Sequence, residues 1–145
     1  MKQEFEGCLK RGKIKEFSQG KSLVDKELKT AEADLAQAKE SLERRNYKWA
    51  TIQAYYSMFH SARALLYHKN YKEKSHYCLI IALRTLYAET KQLPVSFIEA
   101  LQRAKELRED ADYYDEWSGI NAQELLAKTE EFLERAKKIT GLPES

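Results

Sequence analysis

One spacing constrains this chain more than any other feature: between residues 22 and 45, apolar side chains recur at every third or fourth position. The stripe consists of Leu28, Ala31, Leu35, Ala38 and Leu42, and charged residues fill most of the positions between them. This period places apolar side chains on one face of an α-helix. Only five glycines and two prolines occur in 145 residues, too few turn residues for a strand-rich fold. The sequence therefore predicts an all-α protein.

Four more helices are predicted, over 47–68, over 76–89, from about residue 96, and up to Gly141. The segment 76–89, "HYCLIIALRTLYAE", is apolar on nearly all sides, which is typical of a helix at the centre of a bundle or against another subunit. Short connections favour antiparallel neighbours. We therefore expect residues 22–141 to form an up-and-down antiparallel bundle of about five helices. A short basic arm or helix, residues 1–21, precedes it, with six basic residues against three acidic ones.

Polar residues mark the predicted helix starts. Ser75 is the expected N-cap of the segment 76–89, because a serine hydroxyl accepts hydrogen bonds from first-turn amides. Ser96 with Glu99 predicts a capping box, and Asn121 with Glu124 predicts a second one.

The two cysteines, Cys8 and Cys78, match no metal or redox spacing. Cys78 lies in an apolar run and is expected to be a small core residue, with Cys8 a free thiol. No apolar segment has the length of a signal peptide core or a membrane span. The expected location is the reducing cytoplasm, with no membrane contact.

Four polar or aromatic side chains, Tyr56, His60, Arg63 and Tyr67, lie at i, i+4, i+7 and i+11 on one helix face. One interpretation is a cleft that binds a nucleotide or RNA, with Arg63 on a phosphate and His60 moving protons. The other is a packing strip whose polar tips are satisfied by neighbouring helices. Aromatic stripes at helical spacing favour the second interpretation.

Other sequence features give weak indications of chemistry. His76 follows Ser75, so its imidazole is either near anion-attracting amides or an ordinary first-turn residue. The acids at 109–116 match no calcium loop, so a solvated acidic loop is expected and no metal site. The chain has no glycine-rich phosphate loop, HExxH motif or nucleophile elbow, and we expect no cofactor. Composition and motifs leave open whether the protein is an enzyme.

Two separated segments, "AYYSMFHSARALLYHKNYKEKSHYCL" at 54–79 and "LREDADY" at 107–113, resemble the HEPN domain, named for higher eukaryotes and prokaryotes nucleotide-binding. The likeness runs from about residue 25 to 140, and is greatest to small stand-alone prokaryotic members. It implies a helical bundle that forms a homodimer. It also implies a toxin–antitoxin pairing with a minimal nucleotidyltransferase encoded nearby. In active members, an arginine followed after four to six residues by a histidine forms a metal-independent RNase site between subunits.

The sequence departs from this family pattern at one position. Arg108 matches the family arginine, but Tyr113 and then Tyr114 occupy the region of the histidine, and no histidine follows. A phenol keeps its proton at pH 7, so tyrosine is a poor general base. The resemblance therefore favours a dimeric nucleotide- or RNA-binding module that is a toxin-type partner of a nucleotidyltransferase. Tyr113 or Tyr114 would then be an acceptor for nucleotide modification.

Two alternatives stay open. In the first, the protein is an RNase toxin in which Arg108 acts with His60 or His76 from another helix or subunit, and Tyr113 is a further catalytic candidate. In the second, it is a purely structural dimerisation domain.

Overall fold

The computed structural model describes residues 2–141. These residues form six α-helices, one π-helical turn and two short strands. In chain order the elements are α1 (Lys2–Lys10), β1 (Ile14–Glu16), α2 (Gly20–Glu43), α3 (Tyr47–His68), β2 (Tyr71–Glu73), α4 (His76–Leu83), the π-helical turn (Arg84–Ala88), α5 (Val95–Tyr113) and α6 (Gly119–Thr140).

The predicted all-α class is confirmed, because helices dominate the described residues and the sheet has only two strands. The five α-helices expected from residue 22 on correspond to α2, α3, α4, α5 and α6. A sixth, α1, forms in the segment predicted to be a short arm or helix, and it buries Phe5 and Cys8. The expected single helix over 76–89 is α4 continued by a π-helical turn.

Helix α3 is the centre of the bundle and packs against α2, α5 and α6. It runs antiparallel to α2. Ser57 Oγ donates to the Ala31 carbonyl at 2.7 Å, and His60, later in α3, contacts Glu27, which is earlier in α2. Helix α6 also runs antiparallel to α2, as the Lys39–Glu130 and Lys137–Glu32 ion pairs show. The predicted stripe on α2 faces this core, where four of its five members are buried and Leu42 is partly buried.

The apolar helix α4 is buried within one chain. Every residue from Cys78 to Leu83 is buried, between α1, α3 and α5. Of the two explanations that the sequence left open, a central position in the bundle accounts for this helix, and no subunit interface is needed to cover it.

One of the three predicted helix starts is confirmed. The Ser75 hydroxyl accepts a hydrogen bond from the Cys78 amide at 3.1 Å. The Ser96 box is wrong, because extended backbone at Pro94 (ψ 144°) begins the helix at Val95 and Ser96 is already inside the first turn. The Asn121 box is also wrong: the Ser118 hydroxyl caps α6 and accepts from the Asn121 amide at 3.0 Å.

The N-terminal segment folds back onto the bundle. Strand β1 pairs with β2 in antiparallel register, with Ile14 opposite Glu73 and Lys15 opposite Lys72. This pairing brings α1 against α4 and places Cys8 and Cys78 in a disulfide, with their Cα atoms 5.8 Å apart. The expectation that Cys8 is a free thiol is therefore wrong, because the strand pairing that joins the two cysteines has no marker in cysteine spacing. No helix among residues 2–141 is long and apolar enough to cross a bilayer.

Reduction of this disulfide is expected to lower the free energy of unfolding by about 2–4 kcal/mol, because a bond across a long loop limits the unfolded chain. The bond closes a sequence separation of 70 residues. Urea unfolding with and without a phosphine reductant measures the change. The control is a Cys8→Ser/Cys78→Ser variant, which the reductant should not affect. Equal unfolding midpoints for the oxidised protein and this variant would contradict the prediction.

Candidate functional site

The guanidinium of Arg108 is surrounded by tyrosines near the end of α5. Its Nη2 donates to the Tyr56 hydroxyl on α3 at 2.8 Å. The guanidinium carbon lies 5.7 Å from the ring centroid of Tyr55, 5.4 Å from that of Tyr56 and 5.2 Å from that of Tyr113. The Arg108 side chain is 19% exposed. The bundle thus holds one arginine in an aromatic setting with an opening to solvent.

The charge of Arg108 is incompletely balanced. Its nearest carboxylate, Asp112, is one turn later at 3.4 Å and is itself 36% exposed. Burial lowers the pKa of Arg108, but Tyr56, Tyr113 and Asp112 raise it by more, so it lies above its ordinary value. The buried Nε has no hydrogen-bond partner among residues 2–141. A guanidinium in this state is suited to an anionic ligand such as a phosphate.

The acidic stretch after Arg108 is also a helix end. The Asp110 carbonyl accepts from the amides of Tyr114 and Glu116 at 3.2 and 2.9 Å, and Asp115 adopts a positive φ of 55°. The Asp115 carboxylate pairs with Lys48 of α3 at 2.9 Å. The turn that terminates α5 therefore leaves Tyr113 and Tyr114 outside, 62% and 69% exposed.

His76 lies near the Tyr55 ring, which Arg108 also approaches. The centroids of the His76 and Tyr55 rings are 6.3 Å apart. His76 also lines a cavity of about 370 Å³ between α4 and α5 that includes Lys105 and Glu109. Neither of its ring nitrogens has a hydrogen-bond partner among the described residues. Burial, and then Lys105, lower the pKa of His76 to about 4, although Glu109 opposes them. The imidazole is therefore neutral at pH 7.

A stability change with pH should follow from this histidine. Its pKa is about 4 in the folded protein against 6.5 for an ordinary histidine, so the unfolded chain binds the proton first. The free energy of unfolding should therefore fall as the pH drops from about 6.5 to about 4. In His76→Asn this loss should be smaller, as measured by urea unfolding at pH 7 and at pH 5. Parallel pH profiles for the two proteins would contradict the assignment.

Three residues of the predicted strip form a second cluster, apart from Arg108. His60 Nδ1 lies 2.6 Å from Glu27 of α2, and Arg63 Nη2 donates to Glu73 of β2 at 3.0 Å. The Tyr67 ring packs against another aromatic ring, that of Phe17, and burial raises the pKa of Tyr67. Side-chain partners within the chain thus satisfy the polar groups of His60 and Arg63.

The structure brings together Arg108, Tyr56, Tyr113 and, through Tyr55, His76. Sequence reasoning did not predict Tyr55 as part of the site. This residue is 7% exposed, and its ring lies near both Arg108 and His76. The "YY" pair at 55–56 was the available signal, since its first ring faces the core and its second reaches solvent. Within residues 2–141, no group of three or more histidine, cysteine or acidic side chains is placed to hold a metal ion.

The fold and the site define a helical-bundle protein in which an arginine near the end of α5 is held among aromatic side chains. The chain belongs to the HEPN domain family, whose model matches residues 24–139. This match covers nearly the whole bundle and includes every residue of the Arg108 site.

Three archaeal proteins are similar to this chain. The chain is 31% identical over 112 residues to "Putative toxin MJ0605" of Methanocaldococcus jannaschii, a match that covers 77% of this chain and 84% of that protein. It is 31% identical over 118 residues to "Putative toxin MJ0142" of the same organism, covering 79% and 80%. A "UPF0332 protein" of Archaeoglobus fulgidus is 33% identical over 112 residues, covering 76% and 89%. Two of these three relatives are thus named as putative toxins, and this chain shares their family.

Proposed function

We propose that this protein is a dimeric HEPN binding module that holds the phosphate of a nucleotide or RNA at Arg108. It acts as the toxin-type partner of a minimal nucleotidyltransferase. The observation that carries the proposal is the Arg108 guanidinium itself: it is 19% exposed, is surrounded by three tyrosine rings, and has its nearest carboxylate 3.4 Å away. Arginine recognises phosphate through several donors at once, and the Tyr56 hydroxyl lies 2.8 Å from one of them.

Tyr113 is the proposed acceptor of a nucleotide from that partner. Its side chain is 62% exposed, so a second protein can reach the phenol. In the reaction, the phenol oxygen attacks the α-phosphorus of a nucleoside triphosphate, a new P–O bond forms and pyrophosphate leaves. The phenol proton passes to water or to a base of the transferase. Arg108, beside the same ring, would then neutralise the added phosphate.

Co-expression tests this partnership. The protein is produced with a small nucleotidyltransferase encoded next to its reading frame, and its intact mass is measured. We expect a gain of one nucleoside monophosphate and a stable complex of the two proteins. Tyr113→Phe should abolish the mass gain, while the matched variant Tyr114→Phe should keep it. An unchanged mass together with no complex would overturn the partnership.

The homodimer is tested on the purified protein alone. Light scattering should report twice the mass of the chain. A monomer over the whole concentration range would remove the dimer from the proposal, and would leave the Arg108 site to be judged by ligand binding.

A second candidate function, metal-independent RNA cleavage, has its own supporting observation. His76 is neutral at pH 7 and has no hydrogen-bond partner among the described residues, and it lies near the same Tyr55 ring as Arg108. A neutral imidazole can accept a proton from a ribose hydroxyl. His60 is less available, because Glu27 already holds its Nδ1 at 2.6 Å.

Incubation of the purified protein with total RNA and a chelator separates the two candidates. If cleavage occurs through this site, Arg108→Ala and His76→Asn should each abolish it, and His60→Asn should leave most of it. Activity that survives both Arg108→Ala and His76→Asn belongs to another site or to a contaminant. Absence of cleavage by the native protein would remove the RNase candidate.

A further inference from the structure

The two-stranded sheet carries four lysines on one face. Side chains alternate along a strand, and the inner positions belong to Ile14, which is 1% exposed, and to Glu73, which binds Arg63. The outer positions therefore belong to the lysine quartet, Lys13, Lys15, Lys72 and Lys74. Lys15 is directly opposite Lys72, and the Lys74 amide donates to the Lys13 carbonyl at 2.8 Å.

This arrangement opposes the stability of the sheet. Like charges directly across an antiparallel pair repel each other, and all four side chains are exposed. None of them has a carboxylate within ion-pair distance among residues 2–141. The Lys15 ammonium lies beside that of Lys74 and lowers the pKa of Lys74, and Lys72 and Lys13 add to the effect. The four lysine ammonium groups therefore form a cluster of positive charge on the two-stranded sheet, without a paired carboxylate among residues 2–141.

Aromatic side chains adjoin the quartet. The Phe17 ring, directly after β1, lies 5.3 Å from the Lys72 ammonium. Beside it is a cavity of about 280 Å³ lined by Glu16, Phe17, Ser18, Lys69, Asn70 and Tyr71. A positive surface next to partly exposed aromatic rings is the combination that binds single-stranded nucleic acid, where lysines contact phosphates and rings stack on bases.

We propose that the lysine quartet is a binding surface for the phosphate backbone of a single-stranded RNA, separate from the Arg108 site. A lipid bilayer fits the face less well, because the large exposed apolar side chains of the described residues lie on the helices and the turn between α5 and α6, and none lies on the sheet. This surface deepens the proposed function, and it depends on that function only in taking RNA as the ligand. The quartet adds a surface where a strand held at Arg108 could continue.

Fluorescence anisotropy with a labelled oligouridine tests the surface at several salt concentrations. Lys15→Gln/Lys72→Gln removes two phosphate contacts, so binding should weaken by about tenfold and the salt slope should fall by about 1.4. The matched control is Lys26→Gln/Lys128→Gln, which removes the same charge from exposed positions on α2 and α6. Thermal unfolding should show the quartet variant at least as stable as the native protein, since repulsion is relieved.

Arg108→Ala distinguishes this inference from the proposed function. RNA binding that persists in Arg108→Ala and is lost in the quartet variant supports the quartet, even if the Arg108 site proves inactive. If RNA binding weakens equally in the quartet variant and in the control variant, net charge alone explains the effect and the inference is overturned. Binding to anionic phosphatidylserine vesicles without binding to RNA would overturn it as well.

Discussion

Arg63→Met is expected to lower the free energy of unfolding by about 3 kcal/mol, because it leaves Glu73 as a buried carboxylate without its cation. The Glu73 side chain is only 7% exposed, and its Oε2 accepts from Arg63 Nη2 and Nε at 3.0 and 3.3 Å. The value is placed at the lower end for broken buried pairs because Arg63 itself keeps 26% exposure. Burial lowers the pKa of Arg63, but Glu73 and Glu27 raise it by more, so the guanidinium stays charged.

A double-mutant cycle makes this prediction specific. Glu73→Leu alone should lower the free energy of unfolding by less, about 2 kcal/mol, because Arg63 keeps its ion pair with Glu27 at 3.8 Å. The free energy of unfolding of the double variant Arg63→Met/Glu73→Leu should lie within about 1 kcal/mol of the native value, since neither charge of the pair remains. Urea unfolding at pH 7 gives all four values.

An exposed pair provides the control. Lys29 and Asp25 are 74% and 56% exposed at 3.0 Å, and Lys29→Met should cost less than about 1 kcal/mol. If Arg63→Met costs no more than Lys29→Met, the pair does not anchor β2 to α3. In that case Arg63 would be available for a ligand, as the first interpretation of the helical strip supposed.

The bundle was predictable from sequence wherever one period dominated. Leu28 and Leu35 are buried as the spacing on α2 predicted, because a continuous apolar stripe is removed from water only when that face of the helix packs against the core. Helix starts were less predictable, since several polar residues compete for each cap. Ser118 precedes the predicted Asn121 by three residues and is the residue that caps α6, and a Cβ at the following Gly119 would come within 3.2 Å of the Tyr47 ring. The β1–β2 pairing was not predictable, because two three-residue strands have no period to detect.

The candidate site was predictable only in part for a related reason. Arg108 could be selected because the "LREDADY" segment resembles a family motif, and the approach of Tyr56 depends on how α3 and α5 pack. The four-residue strip on α3 looked like one surface. Its members turn toward different partners, with Tyr56 toward α5 and His60 toward α2. Helical periodicity predicts on which face of the helix a side chain lies. Whether that side chain is available to a ligand depends on the element that packs against this face.

Arg108→Ala is expected to weaken binding of a nucleoside triphosphate by about 30-fold to 150-fold, the equivalent of about 2–3 kcal/mol for hydrogen bonds to a charged group. Removal of the guanidinium deletes the cation nearest to the proposed phosphate, and Tyr56 loses its 2.8 Å donor. Isothermal titration with ATP measures the dissociation constant. The matched control is Arg103→Ala on the same helix, where the arginine is 56% exposed and pairs only weakly with Glu106 at 3.5 Å.

Asp112→Asn should change affinity in the opposite direction. The Asp112 carboxylate competes for Arg108 at 3.4 Å, so its neutralisation should tighten ATP binding by about threefold, within the range of a partly exposed ion pair. Circular dichroism should be unchanged in both variants, because Arg108 and Asp112 lie near the C-terminal end of α5. Equal dissociation constants for Arg108→Ala and Arg103→Ala would exclude the site. A weaker affinity in Asp112→Asn would mean that the carboxylate positions Arg108 instead of competing for it.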